Sequence, residues 1–540
     1  MSSQKETRVD AVVVGAGFGG VYQTYSFKSA GYSVRCIERA PTAGGVWYWN
    51  RYPGAMSDTE SYLYRYSWDK EDLLTYPWPN RYVTQPEILK YLNHVVDKHN
   101  LRESMQFNTS MESATWDAEQ NLWHVVCDTG DVFAARYLVT AMGALSEAHF
   151  PQIAGLNSFA GRLLHTQDWP DDIDLTGKTV AVIGSGSTGV QLMTAIAPRV
   201  KRLVSFQRSP QHSVPTGQGP VSEEERKEIN ANYDKIYEKI WQSNSGFLTN
   251  ESDRPMSSYT PEQRQDIFEW LWQQGNAFRF NMSKFSDITT NEEANRETAK
   301  FIEGKIAQIV KDPKKAKALT PKTLYHRRPL CDTGYYYIFN QDHVDIVDLR
   351  ETPIESIVPE GIRTKDGTVH ELDVLIFATG FDALEGTYAR TKITGSDGHT
   401  IAEHWKNGPS SFAGVSMAGF PNMFMVFGPQ GPMSNGATVV EVEVRFIMQL
   451  IANAEKSGAA TESGAKKPKL IEVKPEVEAQ WRKLCDKEAE TSILKKATNS
   501  WIFGTNVPGR KPVVTFYFPG LKGWLEITRK EAEQGFPSYM

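Results

Sequence analysis

The chain has 540 residues, too many for a single hydrophobic core, so two to four domains are expected. Its 40% apolar and 23% charged content is ordinary for a soluble globular protein. The net charge of −6 is weak for this length, and the sequence holds no Lys/Arg-rich tract. That balance speaks against a nucleic-acid binder of the sequence-independent kind. Cys36, Cys127, Cys331 and Cys485 are dispersed and form no C-x-x-C pair, which disfavours a redox dithiol, a zinc site or a disulfide scaffold. No metal site is expected. Met1 to Val9 is polar and lacks a signal core, and no run of about 18 apolar residues occurs. A cytoplasmic protein without a membrane segment is the resulting expectation.

In chain order, the first element is the apolar run Ala11–Val14, read as a buried parallel strand entering a tight turn. The turn carries G-x-G-x-x-G at Gly15, Gly17 and Gly20. In such a motif the first glycine permits the turn, the second admits a pyrophosphate, and the third lets helix and strand pack closely. The helix N-terminus then offers free N–H groups to the phosphates. The next strand, Ser33–Glu38, ends in an acid eighteen residues beyond Gly20, placed to accept the hydroxyls of an adenosine ribose.

The pattern repeats at Thr179–Gly184, with Gly184, Gly186 and Gly189. Here the matched position eighteen residues on is Gln207, followed by Arg208. A guanidinium without a competing acid suits a ribose 2′-phosphate. The first site therefore suits FAD or NAD and the second NADP. A chain holding both dinucleotides reads as a flavoprotein reduced by NADPH.

Between Val221 and Thr320 the character is helical. Ser222-x-x-Glu225 and Thr260-Pro261-x-Gln263 look like capping boxes, and Ile229, Tyr233, Ile236 and Ile240 fall at helical spacing. The cluster Phe268, Trp270, Leu271, Trp272 reads as core or interface. Strand signals return at Leu372–Ala378 and Met423–Phe427, and the stretch from Gly458 to Lys469 reads as a surface loop. The fold class expected is α/β, with two Rossmann-like dinucleotide-binding domains and a helical insertion. The FAD-binding domain is placed at 1–145 and, with the C-terminal region, 381–540. The NADP-binding domain is placed at 146–220 and 326–380, and the insertion at 221–325.

Two further stretches are specific. Phe159, Gly161, His165, Trp169 and Pro170 resemble the F-x-G-x-x-x-H-x-x-x-W-P fingerprint of Baeyer–Villiger monooxygenases. Gly44-Gly45-Val46-Trp47 running to Asp58 is similar to that family's second fingerprint. Ala378–Asp382, Ser500–Gly504 and Arg328–Tyr335 resemble other family elements, those last two of its cyclohexanone monooxygenase branch, so the likeness runs from about Asp10 to about Leu521.

The resemblance implies tightly bound, non-covalent FAD together with NADPH, acting on O2 and a ketone, expected to be cyclic. A C4a-peroxyflavin would add to the carbonyl, and the tetrahedral adduct would collapse to an ester or lactone. Arg328 is implied as the catalytic cation over the flavin, with Asp58 as its partner. Gly19, Val46, Trp47, Trp49, Tyr64 and Met111 are implied at the first cofactor, and Ser187, Thr188 and Gln191 at the second. Arg208, Ser209 and Arg327 would clamp the 2′-phosphate, and Trp501 would cover the NADP ribose. His165 is implied as a packing or hinge element without a proton-transfer role. Leu145, the Pro432–Gly436 loop with Met433 and Ser434, and Phe516 are expected at the substrate, the small loop residues suggesting a roomy pocket. A monomer is expected. Two alternatives stay open: a flavin monooxygenase that oxidises sulfur or nitrogen, and a non-catalytic flavoprotein that senses NADPH.

Overall fold

A computed structural model describes residues 6–249, 251–460, 466–467, 469–498, 500–507 and 509–540. The polar N-terminal segment lies partly outside these residues. So does the tip of the surface loop read at 458–469, whose flanks Ala459–Ala460 and Lys466–Lys467 pair antiparallel.

Two α/β sheets organise the molecule. The larger runs in the order Lys392–Thr394, Met111–Asp117, Leu122–Cys127, Val132–Thr140, Glu6–Val14, Val34–Ile37, Met105–Gln106, with Met423–Met425 added beside Val132–Thr140. Its half around the first glycine turn is parallel, and Leu122–Cys127 pairs antiparallel with both its neighbours. The smaller sheet is parallel throughout: Val344–Asp348, Arg202–Gln207, Thr179–Ile183, Val374–Phe377, Arg162–His165. The strand Glu6–Val14 shows why continuous apolar runs end up central. Ala11, Val12 and Val13 are fully buried because helices or strands cover both faces of a parallel sheet.

The two glycine turns are built alike. Gly15 and Gly184 have φ of +100° and +111°, a backbone region that side chains disfavour. A Cβ on Gly20 would lie 1.7 Å from the Gly15 carbonyl oxygen, and one on Gly189 would lie 2.2 Å from that of Gly184. These third glycines are needed because helix and turn touch backbone to backbone. The middle glycines differ. A Cβ on Gly17 would meet nothing nearer than 3.4 Å, and one on Gly186 nothing nearer than 3.8 Å. At both, a methyl group would make only ordinary van der Waals contact with the protein, so the packing alone does not demand glycine there.

The stretch between the second glycine unit and Thr320 folds into helices Glu223–Gln242, Pro261–Gln274, Ala277–Met282, Glu292–Ile309 and Pro313–Leu319. Thr260 and Gln263 form a complete capping box. Ser222 only half completes its own: its side chain accepts from the Glu225 N–H, while the Glu225 carboxylate lies 3.7 Å from Arg81 instead. The aromatic cluster also divides. Phe268 and Leu271 are buried in the core of this region, but Trp270 faces outward beneath the Lys284 ammonium, because a helix cannot bury consecutive residues on one face. Among the described residues no helix is long and apolar enough to cross a membrane.

The glycine contacts yield a paired test. Gly189→Ala is expected to cost about 1–3 kcal/mol through backbone overpacking, lowering the apparent Tm by several degrees. Gly186→Ala is expected to leave the melt nearly unchanged while blocking the cradle. Equal melting losses in both variants would contradict this assignment of the two glycines.

Candidate active site

The first glycine turn opens into a cleft of about 430 Å³. Gly15, Gly17, Gly19 and Glu38 are among the residues that line it. The Glu38 carboxylate is 5% exposed and accepts the N–H groups of Ala16 (2.6 Å) and Ala40 (2.8 Å). Burial pushes its pKa up, and those two donors pull against it. The acid is thus a brace for the turn itself.

Val46, Trp47, Trp49, Tyr64 and Met111 also line the cleft. Trp47 donates its indole N–H to the Tyr64 hydroxyl at 3.0 Å. Arg39, one residue past the acid, lies over the Trp49 ring at 4.6 Å and lines the cleft too. Sequence reading passed over Arg39, although its place directly after the acid that ends the strand was a usable signal. Like Phe427, which meets Phe516, Leu145 lines this same cleft. It sits at the end of the strand Val132–Thr140, where the loop turns over the first glycine site.

Beyond the cleft, the chain from Tyr52 to Asp58 crosses to the second glycine unit. The Tyr52 hydroxyl donates to Gln191 Oε1 (2.9 Å), and the Gln191 amide donates to the Met56 carbonyl (3.1 Å). A Cβ on Gly54 would fall 2.6 Å from the Gln191 carbonyl oxygen, so this glycine lets the strap lie flat on the helix Ser187–Ile196. The strap ends at Asp58, whose Oδ2 accepts from Arg328 Nη2 at 2.6 Å. Asp58 is 7% exposed, and Arg328 keeps about a third of its side chain open. Burial works against the guanidinium's charge, but Asp58 outweighs it, and the net pKa is raised. Arg328 also lies 5.2 Å over the Phe278 ring, while Asp58 Oδ1 has no partner. Asn276 fixes the backbone beneath, donating to the Asp58 carbonyl at 2.9 Å. Asn276 has φ +72°, which asparagine tolerates better than most residues, and nothing in the linear sequence marked it.

Arg208 and Arg327 converge because the strands that follow them, Ser213–Pro215 and Leu330–Asp332, pair in parallel. Their mutual repulsion contributes to a lowered pKa for Arg327, after burial. Among the described residues neither makes an ion pair, and Arg327 Nε is buried without a partner. Two guanidiniums without a carboxylate fit a phosphate. Ser209 touches the second turn through its carbonyl, which accepts from the Ser185 hydroxyl at 3.2 Å. Ser187, Thr188 and Gly189 open the helix behind it.

His165 ends the strand Arg162–His165. Its Nδ1 accepts from the Gln167 N–H at 3.1 Å, and its ring packs against Phe150 and Phe381. Burial lowers its pKa to about 4, so at neutral pH it is an uncharged packing group. Trp501 stands over Phe516 at 5.9 Å, and Phe516 meets Phe427 at 6.5 Å, at the cleft's far wall. Met433 and Ser434 follow directly: the Met433 N–H donates to the Tyr517 carbonyl, and the Ser434 hydroxyl to that of Ser245. Trp501 therefore adjoins Phe516, which is paired through Tyr517 with the Pro432 loop.

Sequence reading also missed Glu443. It is fully buried on the helix Gly436–Ser457, and its Oε2 accepts the Phe427 N–H at 2.6 Å, holding that residue at φ +63° in the cleft wall. Its other oxygen has no partner, and burial raises its pKa well above the carboxylate range. A raised folded pKa means stability present at low pH and lost as pH rises through that value. Glu443→Gln keeps the acceptor without the ionisation. Its Tm advantage over the native chain is expected to grow from about pH 5 to about pH 8. A difference independent of pH would show that Glu443 does not carry a proton in the folded state.

Comparison with known proteins agrees with this geometry. The family described as flavin-binding monooxygenase-like matches residues 8–211. A cyclohexanone 1,2-monooxygenase from Acinetobacter sp is 46% identical over 531 residues, covering 98% of this chain and 96% of that protein. The phenazine N-monooxygenase PhzNO1 of Lysobacter antibioticus is 43% identical over 541 residues, covering 100% and 98%. The crystal structure of cyclohexanone monooxygenase from Rhodococcus sp. Phi1 bound to NADP+ superposes with a TM-score of 0.96 at 44% identity, covering 99% of each chain. With two glycine units, both fingerprints and relatives of this identity along its whole length, the chain belongs to the Baeyer–Villiger monooxygenases.

Proposed function

We propose that the protein converts a ketone to an ester or lactone, consuming O2 and NADPH and releasing water and NADP+. The observation that carries this reading is the Asp58–Arg328 pair. It stands between Tyr64, which lines the first cleft, and Tyr52, which is bonded to the second glycine helix, and its charge acts on both tyrosines. FAD fits the first cleft, where Gly15, Gly17, Gly19 and Gly20 make the turn and Glu38 takes the ribose. NADPH fits the second, where Arg208 and Arg327 grip the 2′-phosphate. Bound flavin would supply the hydride acceptance and oxygen activation that side chains cannot perform.

The residues have the remaining tasks. Arg328 holds a permanent positive charge near the ketone oxygen, where negative charge grows as its carbon is attacked. Asp58 aims that guanidinium and leaves part of it open. A half-buried site screens the charge weakly, so its field is effective there. Phe427, Phe516, Trp501 and Met433 wall the ketone in and exclude water. The small side chains of the Pro432–Gly436 loop support a roomy pocket for a cyclic ketone. We further propose the division into an FAD-binding unit (1–145, 381–540), an NADP-binding unit (146–220, 326–380) and an insertion (221–325), which the two separate sheets support. The dispersed, buried cysteines support a cytoplasmic protein, and the scatter of exposed large apolar residues over separate segments supports a monomer.

One observation favours a second reading: the 43% identity to a phenazine N-monooxygenase. A heteroatom-oxidising enzyme would turn phenazine into its N-oxide and leave ketones unchanged. Mass spectrometry of products formed with NADPH and ¹⁸O2 from cyclic ketones of rising ring size separates the two. One ¹⁸O atom in the lactone is expected, with bulky rings accepted. Label only in an N-oxide would favour the second reading, and turnover of only the smallest ring would refute the roomy pocket. Arg208→Ala is expected to weaken NADPH at least about tenfold more than NADH in apparent KM, the loss of one charge-assisted contact. Equal changes would remove Arg208 from the phosphate clamp.

A further inference from the structure

The chain leaving the strand Met423–Met425 departs from the usual alternation. Along an extended strand, neighbouring side chains face opposite sides. Met423 and Met425 pack in one core, and Phe424 and Val426 in another. An extended Phe427 would follow Met425. It lies instead with Val426: both line the first cleft, and Phe427 packs beside the core that holds Val426. The cause is its φ of +63°, a conformation that a bulky residue rarely adopts. Its ring meets Phe516 at 6.5 Å, and a Cβ on Gly436 would meet only this ring, at 3.7 Å.

Strain of this kind persists only where the surroundings impose it, and it gathers at binding sites. Here the imposing group is Glu443. Its Oε2 accepts the Phe427 N–H at 2.6 Å, the one partner of that N–H among the described residues. The carboxyl is fully buried, and among the described residues no cation pairs with it. Glu441, two residues earlier on the same helix, is buried too, but it is paired with Arg445 at 2.9 Å and with Ser67. Room for Glu443 is made by Gly414 and Gly431, where a Cβ would lie 3.1 and 2.7 Å from Oε1. The same turns hold two more left-handed side chains, Ala413 at φ +58° and Gln430 at φ +64°.

A leucine would fill this space without the cost of burying a polar group, but it would leave the Phe427 N–H without an acceptor. We propose that Glu443 is a positioning residue that turns the Phe427 ring into the cleft and thereby sets which ketones fit beside Phe516. This role presupposes that flavin and ketone share the first cleft, in line with the function proposed. Glu443 itself touches neither. It acts through one hydrogen bond to the backbone of Phe427. Without that bond the residue is free to return to an extended conformation, which takes the ring toward the Met425 side and widens the cleft.

The test uses the FAD-loaded enzyme, saturated with NADP+ for binding and supplied with NADPH for turnover. The probes are cyclohexanone and 4-tert-butylcyclohexanone. Their Kd ratio is read from flavin absorbance difference spectra, and their kcat/KM ratio from the lactones formed. Phe427→Gly should shift both ratios toward the bulkier ketone by at least about tenfold. Glu443→Leu should shift them the same way, while Glu443→Gln, which keeps the acceptor, should leave them native. Added to Phe427→Gly, Glu443→Leu should change nothing further, because no ring is left to turn. An equal shift from Glu443→Leu with and without the ring would overturn the proposal. So would native ratios in Phe427→Gly or in a folded Glu443→Leu. Where Glu443→Leu does not fold, Glu443→Gln decides: native ratios support the role, and a shift as large as that of Phe427→Gly refutes it. Ketone binding without lactone would refute the proposed function and leave the Kd ratio to test Glu443, and no ketone binding at all would overturn both.

Discussion

The structure turns on one ion pair formed across 270 residues of chain, between Asp58 and Arg328. Neither partner could be where it is without the other. An uncompensated guanidinium in a half-buried site would be costly, and so would a buried carboxylate left without its partner. Held together, they keep a positive charge that is both fixed and partly open. The open part is what a reaction with growing negative charge can use.

The rest of the architecture brings those two residues together. Asp58 ends a strap that leaves the first cleft at Trp47 and Trp49, crosses the second glycine helix through Tyr52, Gly54 and Met56, and is anchored below by Asn276. Arg328 enters from the strand pairing of Ser213–Pro215 with Leu330–Asp332, which also sets Arg327 beside Arg208. One segment therefore reports on both nucleotide sites. Tyr52 and Tyr64, on either side of the pair, have their pKa values pushed up to about 12, mainly by burial, so both remain neutral hydrogen-bonding walls.

Much of this was legible in the sequence because it rests on local rules. The glycine turns could be read since Gly20 and Gly189 answer a backbone contact that leaves no room for a side chain. The strands were legible as apolar runs, and the helix at Pro261 as a capping box. What escaped depends on tertiary approach. That the loop after Val132–Thr140 sets Leu145 in the first cleft is visible only in three dimensions. Trp270 was read with its neighbours as core or interface, and helix periodicity turns it outward while Phe268 and Leu271 are buried. Glu443 sat inside a charged-looking stretch, Glu441 to Arg445, and only packing against Gly414 and Gly431 makes it a buried acid.

The central claim is that the fixed charge of Arg328 directs reduced, oxygen-exposed enzyme toward the ketone. The most direct measurement is the amount of ester formed per NADPH oxidised by purified, FAD-loaded Arg328→Ala. The account predicts that NADPH is still slowly oxidised while ester yield falls by at least about 100-fold, the scale of losing one preorganised electrostatic contact in a transition state. An ester yield equal to that of the native enzyme would contradict it.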